Sequence, residues 1–103
     1  MAIATINPAT GELVKSFEAL TDAQIEKKIQ LATETFQSYK RIPHSKRAEM
    51  LVRAAEILEK EKEKFGRVMT LEMGKPFRAA VEEAAKCAVG CRYYAEHGAG
   101  FLA

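Results

Sequence analysis

The chain has 103 residues, of which 48% are hydrophobic and 29% are charged, and its net charge is +2. This composition indicates one folded domain, and the small charge without a basic stripe interleaved with aromatic residues argues against a nucleic-acid partner. No apolar run reaches the ~20 residues of a membrane span, no secretory leader is recognisable, and the two cysteines form no disulfide framework, so we expect a cytoplasmic protein with no membrane partner.

The first 20 residues have the pattern of a β-hairpin. Short apolar runs at 2–6 and 13–17 flank the turn sequence Asn7-Pro8-Ala9-Thr10-Gly11. Pro8 fixes φ, and Gly11 can adopt a positive φ without steric cost, which predicts a loop of about four or five residues. Because an isolated hairpin is marginally stable in water, we expect it to pack against another element.

Two helices are predicted next. Thr21 and Gln24 form a capping-box pattern, and the helix behind them runs to about residue 40 before Pro43 stops it. Its apolar residues fall on one stripe, at Ile25, Ile29, Ala32 and Phe36. Ser45 is the predicted N-cap of the second helix, and a broad apolar face predicts a central position for that helix.

The alternating Glu-Lys segment at 59–64 places like charges four residues apart, which weakens a continuous helix. We therefore predict a kink or break in this segment; the alternative is one long solvated helix. A third helix then runs from about Lys62 to Gly74, which suits a left-handed helix end. Pro76 suits the start of a fourth helix, rich in small residues, and we expect Gly98 and Gly100 to fray or end it.

The predicted fold class is therefore mainly α, with an N-terminal β-hairpin followed by about four helices. Residues 1–20 form the hairpin and residues 21–103 form the helical part of a single segment.

The cysteines are the first candidates for chemistry. Cys87 and Cys91 share one face of the fourth helix and could supply two zinc ligands, but a structural site needs four, and the only histidines are His44 and His97. A catalytic thiolate needs a positive neighbour and a base, and Arg92 points away from the face of Cys91. We therefore interpret both cysteines as small core residues, and the spacing disfavours a disulfide between them.

Other candidates also have structural interpretations. Lys75 follows Gly74 without the glycine spacing of a phosphate loop. Glu82 and Glu83 project about 100° apart on a helix, so they do not form an acid–base pair. The adjacent residues Tyr93 and Tyr94 also point in different directions, and we expect one in the core and the other at the surface or an interface. His97 lies near a helix end and is interpreted as a polar cap.

Several blocks resemble the N-terminal segment of the NAD(P)-dependent aldehyde dehydrogenase superfamily. They are Asn7-Pro8-Ala9-Thr10-Gly11-Glu12, Arg47 ahead of a Leu/Ala-rich helix, and Glu72-Met73-Gly74-Lys75-Pro76. With the run from Cys91 to Gly98, the similarity is strongest to bacterial succinate-semialdehyde dehydrogenases. The resemblance implies a helical part packed beside the cofactor-binding domain of an α/β parent fold.

The resemblance also implies what the chain lacks. It covers about the first fifth of such an enzyme, and the family's catalytic cysteine, its glutamate base and its Asn-Phe-Pro motif all lie beyond Ala103. We therefore assign no catalytic, cofactor-binding or metal-binding residue here. NAD or NADP is implied for the full-length family member alone.

Two functional hypotheses remain open. In the first, the chain is an inactive scaffold segment of an aldehyde dehydrogenase. In the second, it is a stand-alone helical module that self-associates or binds a partner. The expected partners are the rest of the enzyme or further copies of the chain.

Overall fold

The N-terminal hairpin is formed by β1 (Ile3–Ile6) and β2 (Leu13–Phe17), which pair antiparallel with an irregularity after Thr5. The computed structural model describes residues 3–103, so Ala2, which the sequence placed in the first strand, lies outside the described residues. In the loop, the amide of Gly11 donates to the carbonyl of Asn7 at 2.8 Å. The φ of Gly11 is 77°, as its place in the turn predicted.

Replacing Gly11 with alanine is expected to weaken the hairpin by about 1–2 kcal/mol, because an L side chain is strained at positive φ. No atom would lie within 4 Å of the added Cβ, so backbone strain alone sets the cost. Faster exchange of the amide at position 11, which donates to the Asn7 carbonyl, would report the loss by NMR. Asparagine tolerates this conformation better than alanine does, so Gly11→Asn should lose less; equal losses in the two variants would contradict the explanation.

The hairpin lies against α3 (Lys62–Met73), which supplies the support that a two-stranded ribbon needs. The hydroxyl of Thr5 donates to the Glu72 carboxylate at 3.2 Å. Gly74 ends α3 with φ 72°, as predicted, and a Cβ there would lie 3.0 Å from the ring of Pro8. The helix end and the hairpin turn are therefore in close contact.

The first helix, α1 (Asp22–Tyr39), begins with the predicted capping box. The amide of Gln24 donates to the Thr21 hydroxyl at 3.3 Å, and the Gln24 side chain accepts from the Thr21 amide at 2.9 Å. No residue of α1 is buried. Its apolar stripe therefore has no substantial cover within the part of the chain that the structure describes.

The second helix, α2 (His44–Lys60), begins one residue before Ser45, so the prediction of Ser45 as N-cap was wrong. Pro43 occupies the cap position with φ −64° and an extended ψ of 154°. Its carbonyl accepts from the amides of Lys46 and Arg47. The ring of Pro43 already holds the φ that a helix start needs, which is why the helix begins earlier than expected.

The charged segment breaks the helix, as predicted. α2 ends at Lys60, Glu61 has the non-helical angles φ −107° and ψ 18°, and α3 begins at Lys62. The single-helix alternative is excluded.

The fourth helix, α4 (Phe77–Phe101), continues past Gly98 and Gly100, contrary to the expectation that they would end it. Each glycine costs a helix only about 1 kcal/mol relative to alanine, which a long helix can absorb. The amide of Leu102 donates to the Gly98 carbonyl at 3.2 Å and closes the last turn.

α4 packs against both α2 and α3, whereas α2 and α3 contact each other little. The central helix is therefore α4, and the prediction of a central α2 was wrong. The buried residues at these contacts are small: Ala55, Gly66, Ala80, Ala84 and Ala88. Small side chains let the helix backbones approach closely, as the composition of the fourth helix predicted.

Candidate functional site

An ion pair joins α2 to α4. The guanidinium of Arg92 donates to both carboxylate oxygens of Glu59, with Nε–Oε1 at 2.9 Å and Nη2–Oε2 at 2.7 Å. The hydrogen bond from Arg92 holds the pKa of Glu59 below its usual range, and the same bond raises the pKa of Arg92. Sequence reasoning missed this pair, because the residues lie 33 positions apart and no local pattern links them.

A second ion pair fixes the turn between α3 and α4. Lys75 contacts the carboxylate of Glu83, and this hydrogen bond lowers the pKa of Glu83. Glu82 points elsewhere and pairs with Arg78 at 3.3 Å. The two glutamates therefore diverge, as predicted, and each contacts a different basic residue.

These contacts predict a loss of stability in acid. The pKa values of Glu59, Glu61 and Glu83 are all lowered by hydrogen bonds from basic partners, Lys64 being the partner of Glu61. A carboxyl group with a lowered folded-state pKa stabilises the fold above its unfolded pKa, about 4.3, and loses that effect as the pH falls through the folded value.

Unfolding of Glu59→Gln in urea should therefore vary less with pH below about 4.3 than unfolding of the unchanged chain. Glu63→Gln is the control, because Glu63 is exposed on α3 and forms no ion pair among residues 3–103. The expected loss at neutral pH is small, since the ion pair is partly exposed. Identical pH profiles for the two variants would contradict the role of the ion pair.

The cysteines do not form the buried pair that the sequence predicted. Cys87 is exposed and Cys91 is partly buried, and both are free thiols. The interpretation of Cys87 as a core residue was wrong, because the buried face of α4 consists of Ala80, Ala84 and Ala88. Across residues 3–103, no group of three or more His, Cys, Asp or Glu side chains is placed to hold a metal ion.

The aromatic residues near the end of α4 form an exposed cluster. Tyr93 and Tyr94 are 48% and 59% exposed, so the prediction that one of them is a core residue was wrong for this chain. The ring of His97 lies 4.6 Å from that of Tyr93 and 6.2 Å from that of Phe101. His97 stacks in this cluster one turn before the helix ends, rather than acting as a terminal cap. His44 begins α2 and lines the same pocket as Tyr94.

Arg47 clamps the end of α1 to the start of α2. Its Nη2 donates to the carbonyls of Tyr39 at 3.3 Å and Lys40 at 3.2 Å. The guanidinium also lies 5.1 Å from the centre of the Tyr39 ring. A cation at a helix C-terminus satisfies free carbonyls and interacts favourably with the helix dipole. One feature of the sequence is consistent with this contact: the last turn of α1 contains no basic residue, and Arg47 follows that helix closely.

Among the described residues, these side chains bring together no nucleophile with a base. Each charged group with a close contact binds another side chain or a helix end. No helix in the described part of the chain is both long and apolar enough to cross a membrane. The geometry is that of a helical scaffold with large exposed apolar surfaces.

Known proteins share this arrangement of a hairpin and helices. The sequence profile of the aldehyde dehydrogenase family matches residues 1–101. The chain belongs to this family. The resemblance predicted from the Asn-Pro-Ala-Thr-Gly-Glu and Glu-Met-Gly-Lys-Pro blocks is thereby confirmed.

Individual aldehyde dehydrogenases match the whole chain. A probable NADP+-dependent succinate-semialdehyde dehydrogenase of Synechocystis is 47% identical over 103 residues, and one from Mycobacterium tuberculosis is 48% identical. The crystal structure of the Streptococcus pyogenes succinic semialdehyde dehydrogenase with NADP+ superposes with a TM-score of 0.90 at 31% identity, over 99% of this chain. The chain spans 23%, 22% and 23% of these three proteins.

Proposed function

We propose that the chain is the N-terminal scaffold segment of an aldehyde dehydrogenase that oxidises succinate semialdehyde to the acid with NADP+. The observation that supports this most directly is the match of all 103 residues to relatives described as NADP+-dependent succinate-semialdehyde dehydrogenases. The segment would hold its helices around α4 and the hairpin on α3, while the remaining part of the enzyme would supply the reacting groups.

No step of the reaction is assigned to the described residues, because the Gly-Lys turn at 74–75 makes other contacts. A dinucleotide phosphate is usually held by free amides at a glycine-rich helix start. Gly74 instead ends α3, and its amide donates to the carbonyl of Thr70 at 3.0 Å. The neighbouring Lys75 is engaged by Glu83. The cofactor is therefore proposed for the whole enzyme and not for this segment.

Turnover by a chimera tests the proposal. The segment of the Synechocystis relative that aligns with this chain would be replaced by the 103 residues in one continuous polypeptide. We expect reduction of NADP+ when succinate semialdehyde is added, at a rate close to that of the unchanged relative. The separate 103-residue chain should reduce neither cofactor.

Two results would contradict the proposal. One is a folded chimera that contains the relative's own catalytic residues and shows no turnover. The other is turnover above background by the separate chain.

The exposed apolar side chains support a second candidate, a helical module that self-associates. Burial of one large apolar side chain stabilises a complex by about 1.5–3 kcal/mol, and several such residues are exposed here, including Leu31, Phe36 and Tyr94. Sedimentation of the separate chain over a range of concentrations would detect association. A monomer at every concentration, with a sharp cooperative melt, would argue against this candidate.

A further inference from the structure

Two free thiols lie four residues apart on α4. Cys87 is exposed and Cys91 is partly buried. Because four residues complete slightly more than one turn, the two side chains leave the helix within about 40° of the same direction. The buried face beside them consists of alanines, among them Ala84 and Ala88, so the packing of α4 leaves Cys87 open to solvent.

The spacing of these thiols is too wide for a disulfide but suits a bridging metal ion. Side chains four residues apart on a helix have Cβ atoms about 5–6 Å apart. A disulfide needs Cβ atoms about 3.5–4.5 Å apart. A metal–thiolate bond is about 2.3 Å long, so two such bonds in line hold the sulfur atoms about 4.6 Å apart. Rotation of the two side chains reaches that separation without a change in the backbone of α4.

The number of ligands decides which metal ion the pair would hold. Across residues 3–103, no third His, Cys, Asp or Glu side chain joins the thiols in a metal-binding group. A structural zinc site needs four ligands, and calcium and magnesium need oxygen ligands. Copper(I) is a soft cation that prefers thiolates, and two thiolates complete a linear site for it.

The charges near Cys87 suit such a complex. When copper(I) binds, each thiol releases its proton to solvent and two copper–sulfur bonds form. Copper is neither oxidised nor reduced, and the complex has a single negative charge. Lys75, Glu82, Glu83 and Lys86 line one surface pocket with Cys87. Both glutamates contact basic residues, whereas Lys86 forms no ion pair within the described part of the chain, so its charge can attract the complex.

We propose that Cys87 and Cys91 form a two-coordinate binding site for copper(I) on α4. The proposal does not depend on the proposed function, because both ligands belong to this chain and neither is assigned a part in the reaction. The folded helix holds the two thiols on one side. Binding of copper(I) therefore favours the folded state and stabilises the chain against unfolding.

Titration of the reduced 103-residue chain with copper(I), in competition with a chromophoric copper(I) chelator, tests the site. The chain has only these two cysteines, and we expect one copper(I) ion per chain. Cys87→Ser and Cys91→Ser should each bind copper(I) at least about a hundredfold more weakly, because the second thiolate of a linked pair binds at a high effective concentration.

The matched control is the double variant Cys87→Ser with Val89→Cys. It keeps two thiols but places them two residues apart, about 160° apart round the helix. Val89 is 66% exposed, so the new thiol is accessible. We expect the control to bind copper(I) as weakly as the single-thiol variants do. One equivalent of copper(I) should raise the midpoint of urea unfolding of the unchanged chain and leave that of the control unchanged.

Each outcome bears on the proposal. Equal affinities of the unchanged chain and the control would show that the spacing on α4 is irrelevant, and the proposed site would be wrong. Full affinity in either single-thiol variant would overturn it as well. Zinc binding as tight as copper(I) binding would contradict the two-coordinate geometry. One copper(I) ion shared between two chains, or bound copper(I) that leaves the urea midpoint of the unchanged chain where it was, would exclude a site within one folded helix.

Discussion

Replacing Gly66 with alanine is expected to destabilise the chain by about 1–3 kcal/mol, because α3 and α4 touch at this residue. An added Cβ would lie 2.7 Å from Cγ2 of Val81, 3.0 Å from its amide nitrogen and 3.2 Å from its Cα. Two of these atoms belong to the backbone, which cannot move away as a side chain does. The overpacking should exceed the gain of about 0.5–1 kcal/mol that alanine normally brings to a helix.

Urea unfolding followed by circular dichroism would measure this loss as a lower midpoint with an unchanged slope. Gly90→Ala is the matched control, because Gly90 also lies inside a helix but no atom would lie within 4 Å of its added Cβ. That variant should gain about 0.5–1 kcal/mol. A gain in both variants would show that α3 and α4 do not approach as closely as the structure describes.

Ala88→Leu is expected to have the largest effect, a loss of about 3 kcal/mol, which is the upper end of the usual cost of overpacking. Ala88 is fully buried on the face of α4 that α2 and α3 cover. Three further carbon atoms can be accommodated there only if the helices separate. A domain of this size has a total stability of about 5–15 kcal/mol, so this loss is a large share of the total and should lower the melting temperature by about 10–20 °C.

The neighbouring residue provides the control for this prediction. Val89 is 66% exposed, so Val89→Leu should change the free energy of unfolding by no more than about 0.5 kcal/mol. Thermal melts of the two variants would therefore differ sharply. Similar melts would mean that the row of buried alanines does not form the contact surface of α4.

Local signals predicted most of the secondary structure. The capping box at Thr21, the charged break at Glu61 and the left-handed Gly74 were each confirmed, because a few adjacent residues determine each feature. Two boundaries were wrong: α2 begins after Pro43, whose ring presets the φ of a helix start, and α4 continues through Gly98 because a long helix can absorb the small cost of a glycine.

Predictions that depended on contacts between elements distant in the sequence were less successful. The sequence could place Cys87 and Tyr94 on a helix, but not decide which side of that helix another element covers. The contacts of Arg92 with Glu59 and of Thr5 with Glu72 join residues distant in the chain, and no periodicity indicates them. The absence of assigned catalytic residues stays a prediction that the turnover experiment will test.

The position of α4 has a consequence for synthesis on the ribosome. α4 is the last helix of the segment, and it is also the one against which α2 and α3 pack. While the nascent chain contains only the hairpin and the first three helices, α2 and α3 lack the helix against which both of them pack. They must wait for α4 to emerge from the exit tunnel, and during that interval a chaperone that shields apolar helices has its best opportunity to bind.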